Sequence, residues 1–304
     1  ISFIYFKKNL ENINVIETGI GGTFDTTNVL ASDIQVITPI SYDHQNVLGN
    51  TIKLISENKA GIIKKNSVVI TAHQENEAFE IIKEKAKKEK SKLISLNYSI
   101  NAKPSVKGNK MNSVIGINSE KYAVSTRSIG KYYLDNIALS IQTLNHLNKY
   151  NVNKVDIENG IKENFWPCRG NLEKHKDRIF FIDGAHNEEG FRKLKSTINE
   201  FFDKKFIFIF GLNKNHDIGD AIKFIKEFKC KTIISESNHP KSEKIEYIEK
   251  KFKYNNINYI KSNTMKDALN ISLRESKDNE IIVSAGSLFI SAEIKKLIEN
   301  EQRK

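Results

Sequence analysis

Cysteine is almost missing from this chain. Cys168 and Cys230 are the only two in 304 residues, which excludes a disulfide framework and a paired-thiolate zinc motif and points to a reducing compartment, the cytoplasm. No apolar run approaches the roughly 20 residues of a membrane span, and the opening Ile1 to Phe6 is too short for the apolar core of a secretory signal. Arginine is equally scarce. The sequence has six, against a combined Lys and Arg count of 48 and a net charge of +11. A basic protein can bind nucleic acid, a membrane surface or polyanionic small ligands. The same surplus can also be plain composition bias, since Lys, Asn and Ile are abundant together. The evenly spread lysines lack the aromatic- and arginine-rich surface expected of a nucleic-acid binder, so neither nucleic acid nor membrane is an expected partner. No internal repeat or low-complexity tract occurs. No Gly-x-x-x-x-Gly-Lys-Ser/Thr run occurs either, because Gly130-Lys131 is followed by Tyr132. The first residues, Ile1-Ser-Phe-Ile-Tyr-Phe-Lys-Lys-Asn9, read as a helix cut in mid-element, so the expectation is a chain that begins inside a domain.

What is present is an alternation of strands and helices. Asn14–Glu17, Ile34–Thr38 and Val68–Thr71 are β-branched runs bounded by polar turns, with helical spacing over Thr51–Ile63 and Glu77–Glu89. Residues 92 to 128 lose the helical period and read as a small β excursion. Helices follow at Lys131–Tyr150 and Val155–Phe165. The Trp166-Pro-Cys-Arg-Gly-Asn171 stretch breaks the pattern and is the expected domain boundary. Beyond it, strands at Ile179–Ile182, Phe206–Phe210, Thr232–Ser235, Asn258–Ile260 and Ile281–Ser284 alternate with helices, the last over Ile290–Glu299. The expected fold is α/β with a parallel sheet in each of two domains, residues 1–166 and 167–304.

Three residues in the first part stand where open α/β sheets bind ligands. Glu17 ends the first apolar run and is followed by Gly19, Gly21 and Gly22, which permit a tight turn and a close backbone approach. Phe24 stands where a dinucleotide fingerprint needs its third glycine. His44 follows the second strand, and Lys59 is read as lying early in the next helix. Each alone reads equally well as a loop or surface residue. A carboxylate with an imidazole is a workable ligand pair for a divalent cation that keeps most of its waters. His73, His146, His175, His216 and His239 have no evident partner in the sequence and read as surface residues.

Taken together, Glu17-Thr-Gly-Ile-Gly-Gly-Thr-Phe-Asp25-Thr-Thr-Asn28, Asp43-His44-Gln-Asn-Val-Leu-Gly49 and Glu57-Asn-Lys59-Ala-Gly61 resemble the central domain of the folate-type Mur ligases, the folylpolyglutamate and dihydrofolate synthases. The resemblance continues through Asn136 in Leu134-Asp-Asn-Ile-Ala, Arg169 after Trp166-Pro167, Asp183-Gly-Ala-His186-Asn187, and more weakly through Gly211-Leu-Asn-Lys-Asn-His-Asp217 and Gly286-Ser287-Leu-Phe289. It implies an N-terminally shortened Mur-ligase-like central domain, with an incomplete parallel sheet and flanking helices, followed by a Rossmann-like C-terminal glutamate ligase domain. It implies a monomer that uses ATP and Mg²⁺ to join L-glutamate to dihydropteroate or tetrahydrofolate through an acyl phosphate. By the resemblance, Glu17 and His44 bind magnesium, and carbamylated Lys59 supplies an oxygen ligand to a second ion. Asp25 contacts the pterin, Asn136 the adenine, Asp183 the ribose and His186 the nucleotide. Arg169 brings charge onto the nucleotide, and hinge closure at 166–171 aligns the acyl phosphate with the amine.

The departures from the family pattern are specific. The family's N-terminal phosphate loop, which resembles Gly-Thr-Asn-Gly-Lys-Gly-Ser, has no counterpart in these residues. Its upstream pterin-covering loop has none either. Thr23 replaces an arginine, Cys168 a glycine and Glu188 a proline. A catalytically inactive remnant with residual nucleotide binding is therefore the alternative to a working ligase.

Overall fold

Strands β1 (Ile34–Ile37), β2 (Val68–Thr71) and β3 (Lys92–Ser95) run parallel in the order β1-β2-β3. They belong to the first of two units, residues 1–96 and 97–304, into which the chain divides. The computed structural model describes residues 2–8, 13–147, 150–202, 205–214 and 216–303. The first unit also holds α1 (Ser2–Lys8), α2 (Gln45–Leu48), α3 (Ile52–Ala60) and α4 (Asn76–Lys88). Helix α3 starts where Thr51 Oγ1 accepts the Leu54 N–H at 3.2 Å, the expected N-cap bond. Helix α4 buries Ala78, Ile82 and Ala86 at i, i+4, i+8 against Ile52, Ile55 and Ala60 of α3 and Ile37 and Val69 of the sheet. One apolar stripe per helix is what a helix layered on a sheet needs.

Two readings are corrected here. Asn14–Glu17 forms no strand: residues 13–18 are irregular, and Val15 is 90% exposed. A β-branched run becomes a strand only where a neighbour takes its backbone hydrogen bonds and its side chains, and this segment has no ladder partner among the described residues. Lys59 lies in the last turn of α3, not early in it.

The second unit opens with an antiparallel meander, β4 (Ser99–Lys107), β5 (Lys110–Ile117) and β6 (Glu120–Thr126). This is the expected β excursion. Helix α5 (Tyr132–Leu144) ends before the residues at 148 and 149, which lie outside the described set, as do residues 1 and 9 of the opening run. Helix α6 (Lys154–Glu163) is closed at its N-terminus by a capping box: Asn153 Oδ1 accepts the Asp156 N–H, and Asp156 accepts the Asn153 N–H in return. Asn153→Ala removes one half of that exchange. It is expected to cost about 1 kcal/mol in urea unfolding, with an unchanged m-value.

Six strands form the main sheet: β7 (Asn171–His175), β8 (Arg178–Ile182), β9 (Phe206–Phe210), β10 (Lys231–Ile234), β11 (Tyr259–Lys261) and β12 (Ile281–Ala285), in the order β11-β10-β9-β12-β8-β7. All neighbours are parallel except β7, which runs antiparallel to β8 at the edge. Helices α7 (Glu188–Phe201), α8 (Gly219–Phe228), α9 (Ile245–Tyr254), α10 (Met265–Glu275) and α11 (Leu288–Gln302) complete the unit. Strand period two divides the core by residue type. Ile207, Ile209, Phe180, Ile182 and Ile282 pack with Met265 and Leu269 of α10 and Ile290, Ile294 and Ile298 of α11. The alternate positions Phe206, Phe208 and Phe210 meet Phe224, Phe228 and Phe252 of the other helices, with ring centroids 4.9–6.0 Å apart within that cluster. A sheet covered on both faces explains why β9 and β12 are buried at every position.

Strand β12 inserts between β8 and β9, so the strand order reverses there. The crevice beyond the carboxyl ends of those three strands is the position where such sheets bind ligands.

Candidate functional site

The backbone crowds together at that crevice. Gly286, just past β12, donates its N–H to Ala185 O at 2.7 Å, past the end of β8. A Cβ on Gly286 would lie 2.2 Å from Gly211 O, past the end of β9. Ser287 Oγ donates to Asn213 Oδ1 at 2.8 Å, and Ser291 Oγ donates to Asp183 O at 2.6 Å. The loops after β8, β9 and β12 are thus in direct contact.

Asp183 follows β8 and is 8% exposed. Its Oδ1 accepts the Ala185 N–H at 2.8 Å, and the Tyr132 hydroxyl stands 3.5 Å from Oδ2. Burial pushes its carboxyl above the ordinary value. The Ala185 and Gly170 N–H groups, the Arg169 charge and the Tyr132 hydroxyl all pull in the opposite direction. His186 Nδ1 lies 2.7 Å from Gly184 O. A carbonyl only accepts, so Nδ1 carries the proton, and in the neutral ring Nε2 keeps its lone pair for a ligand. His216 meets this ring edge-on at 5.0 Å.

The turn that carries Arg169 is fixed by its backbone. Tyr133 donates its hydroxyl to Arg169 O at 2.6 Å, Ile129 N–H donates to Gly170 O at 2.8 Å, and buried Asn171 donates Nδ2 to Arg127 O and Arg169 O, both at 3.3 Å. Desolvation raises the Tyr133 and Tyr132 hydroxyl pKa values, which keeps both as neutral donors at physiological pH. The structure therefore brings Arg169, Asp183 and His186 to one crevice. Asn136 lies exposed on the second turn of α5, whose first turn holds Tyr132 and Tyr133.

In the first unit, the glycine loop is docked on the C-terminal end of α3. Gly22 N–H donates to Asn58 Oδ1 at 2.9 Å, and Thr23 N–H and Oγ1 both donate to Asn58 O at 2.9 Å. A Cβ on Gly22 would lie 2.9 Å from the carbonyl oxygens of Asn58 and Lys59, so glycine is required by that approach. Asp25 Oδ2 accepts from the Gly19 and Ile20 N–H groups, and Oδ1 accepts from the Thr27 N–H and hydroxyl. Four bonds fill a carboxylate's acceptor sites, and these bonds, that of the Thr27 hydroxyl first, hold its pKa below the ordinary value.

Glu17 is exposed. His44 takes a left-handed φ of 49° at the start of α2, with its imidazole 3.9 Å from Asp43 and half exposed. Lys59 is partly buried. No group of three or more His, Cys, Asp or Glu among the described residues is gathered for a metal. The set Glu17, His44 and Lys59 contains only two side chains of those types.

Of the five histidines read as surface residues without a partner, one is buried and three more are half-buried against partners; His146 Nδ1 lies 2.8 Å from Gln142 O. His175 is 4% exposed, His216 adjoins His186, and His239 stacks on Phe289 at 3.5 Å. The partners of His175, His216 and His239 are not legible in the sequence because each lies on a different element. A polar cavity of about 570 Å³ beyond β10 and β11, lined by Lys214, Glu236, His239, Lys244 and Lys261 among others, was also not legible. Asn215, inside the 211–217 motif, lies outside the described residues. No helix among the described residues is long and apolar enough to cross a membrane.

Residues 169–288 match the model of the Mur ligase glutamate ligase domain. Over 98% of its length the chain is 29% identical to the dihydrofolate synthase/folylpolyglutamate synthase of Bacillus subtilis, and it covers 70% of that protein. It is 26% identical to the folylpolyglutamate synthase of Lacticaseibacillus casei, covering 98% of this chain and 69% of that protein. Among solved structures, an FPGS–AMPPCP–folate complex superposes with a TM-score of 0.80 at 25% identity, over 98% of this chain and 69% of that one. Mycobacterium tuberculosis folylpolyglutamate synthase complexed with ADP gives 0.86 at 19% identity, over 98% of this chain and 70% of that one, and so speaks for the fold. The chain is thus similar over nearly its whole length to folylpolyglutamate and dihydrofolate synthases, of whose length it spans about 70%, and residues 169–288 match the glutamate ligase domain of the Mur ligases.

Proposed function

We propose that the chain carries the metal-, nucleotide- and glutamate-handling parts of an ATP-dependent ligase that adds L-glutamate to dihydropteroate or tetrahydrofolate. The observation that carries this reading is the crevice at the strand-order reversal, where buried Asp183, His186 and the braced Arg169 turn meet. Asp183 accepts from the ribose hydroxyls, His186 offers Nε2 to the nucleotide, and Arg169 places a fixed positive charge where phosphate charge develops. Asn136 contacts the adenine. The boundary between the two catalytic domains is assigned to Trp166–Asn171, next to the start of the matched ligase region.

The assignment of Glu17, His44 and Lys59 to a magnesium site rests on the similarity to the synthases and on donor chemistry, with the His44 imidazole half exposed and 3.9 Å from Asp43. Oxygen with one imidazole is an acceptable donor set, and a carbamate on Lys59 adds another oxygen. Bound there, Mg²⁺ supplies neutralising charge between two anionic reactants. Asp25 serves the folate site by holding the Gly19–Thr27 loop, since its own acceptor sites are filled.

The test is a calorimetric titration of the purified chain with AMPPCP, with and without Mg²⁺. Binding is expected, tightened by Mg²⁺, and Glu17→Gln is expected to remove the Mg²⁺ dependence while leaving the metal-free affinity unchanged. Absence of binding at millimolar nucleotide overturns the nucleotide assignment, and an unaltered Mg²⁺ dependence in Glu17→Gln overturns the metal assignment. The alternative reading is a nucleotide-binding chain without ligase activity. Incorporation of radiolabelled glutamate by the chain alone separates the two.

A further inference from the structure

Helix α11 carries two buried stripes. Ile290, Ile294 and Ile298 are all fully buried and face the sheet. Ser287, the cap, with Ser291 and Lys295 repeats at the same spacing and is also buried, at 0%, 0% and 9% exposure. Each member of this polar stripe bonds a different segment. Ser287 binds Asn213, and Ser291 binds the backbone oxygen of Asp183. Lys295 Nζ donates to Glu173 Oε1 at 2.5 Å and pairs with Glu299 at 3.0 Å. It also lies 5.4 Å from the Phe165 ring, which the Arg127 guanidinium covers at 3.8 Å. Phe165 leads directly into the turn that presents Arg169. In that turn Cys168, with φ +60° and 3% exposed, packs in the same cluster as Ile290 and Ile294.

A buried ammonium is expensive. Desolvating it costs several kcal/mol, and an apolar residue of similar length is often neutral or better for stability. Core packing alone therefore does not account for a lysine at 295. We propose that Lys295 is a positioning residue: through Glu173 and the Phe165 ring it fixes the 165–171 turn, and so sets Arg169, from the same helix face by which Ser291 sets Asp183. The inference rests on the nucleotide reading of the crevice.

Lys295→Met alone leaves the half-buried Glu173 without its cation and can fail to fold, so the working variant is Lys295→Met with Glu173→Gln. Three measurements follow, with Lys295→Arg as the conservative control. The melting temperature of the double variant is expected to stay within a few degrees of the wild type. AMPPCP affinity is expected to fall about tenfold, and Lys295→Arg to retain most of it. On an Arg169→Ala background the double variant is expected to cause no further loss, because its effect passes through Arg169. Iodoacetamide labelling of Cys168, located by mass spectrometry, is expected to accelerate about tenfold as the turn loosens. An unchanged affinity, or losses that add to those of Arg169→Ala, overturns the proposal. If the wild type binds no AMPPCP, the nucleotide reading fails by itself, and Cys168 labelling still decides whether Lys295 fixes the turn: an unchanged rate overturns it.

Discussion

Alanine at position 286 will lower the melting temperature by about 10 °C or prevent folding of the second unit. Gly286 sits at φ +105°, a region that L side chains rarely adopt, and its Cβ would lie 2.2 Å from the Gly211 carbonyl oxygen and 2.6 Å from the Phe210 ring. Neither neighbour can retreat. Phe210 is fully buried and stacks on Phe252 at 5.9 Å. Gly211 is itself wedged between Ile290 and the Ser235 carbonyl. Backbone strain and an overpacked core together cost about 3–5 kcal/mol, and a unit of this size loses roughly 2–4 °C per kcal/mol. Gly160→Ala is the matched control. That residue lies in α6, with nothing within 4 Å of a built Cβ, so alanine there is expected to stabilise by about 0.5–1 kcal/mol through helix propensity. Equal melting temperatures for Gly286→Ala and the wild type would show that the loops after β8, β9 and β12 are not held at backbone contact.

The two substitutions also mark what sequence can and cannot convey. The Phe206–Phe210 run reads as a strand, and the spacing over Ile290–Glu299 reads as a helix. Both are local facts, and both agree with the structure. Strand β7 was not legible, because Asn171-Leu-Glu-Lys-His175 is an edge strand whose polar alternation resembles a turn. Glu17 was placed at a strand end on β propensity alone, whereas a strand also needs a neighbour. Lys59 stands in the last turn of α3 because the helix starts at the Thr51 cap, eight residues before it, a start that the Thr51–Ile63 spacing already contains. Asp25, Glu57 and Asp43 look alike as letters. That Asp25 spends both oxygens on its own loop depends on how that loop closes, which no spacing rule contains. The Ser287–Ser291–Lys295 stripe, an i, i+4, i+8 repeat, is not singled out by the sequence. Its meaning depends on Asn213, Asp183 and Glu173, which lie 74 to 122 residues away in sequence.

Asp183→Asn will separate stability from binding. The asparagine is nearly isosteric: its Oδ1 still accepts the Ala185 N–H, and its amide group stands where Oδ2 faces the Tyr132 hydroxyl. What changes is charge. The wild-type carboxyl has a raised pKa in the folded state, with desolvation as the leading cause. Between its ordinary value of 3.8 and that raised value, the native state holds the proton more firmly than the unfolded chain does. Stability therefore declines as pH rises through that interval and stays reduced above it. An amide does not ionise and escapes the decline. The variant is expected to be more stable than the wild type at pH 7 by on the order of 1 kcal/mol. That advantage should shrink as the pH is lowered into the interval where the wild-type carboxyl protonates. Nucleotide affinity moves the opposite way. A charged acceptor for a ligand hydroxyl is worth about 1.5–3 kcal/mol, so AMPPCP binding is expected to weaken tenfold or more. Thermal melts from pH 4.5 to 8, run beside the titration, read both quantities. A variant that is less stable at pH 7 would mean that the carboxylate is a structural anchor rather than a buried charge held ready for a ligand, and undiminished affinity would remove Asp183 from the nucleotide site.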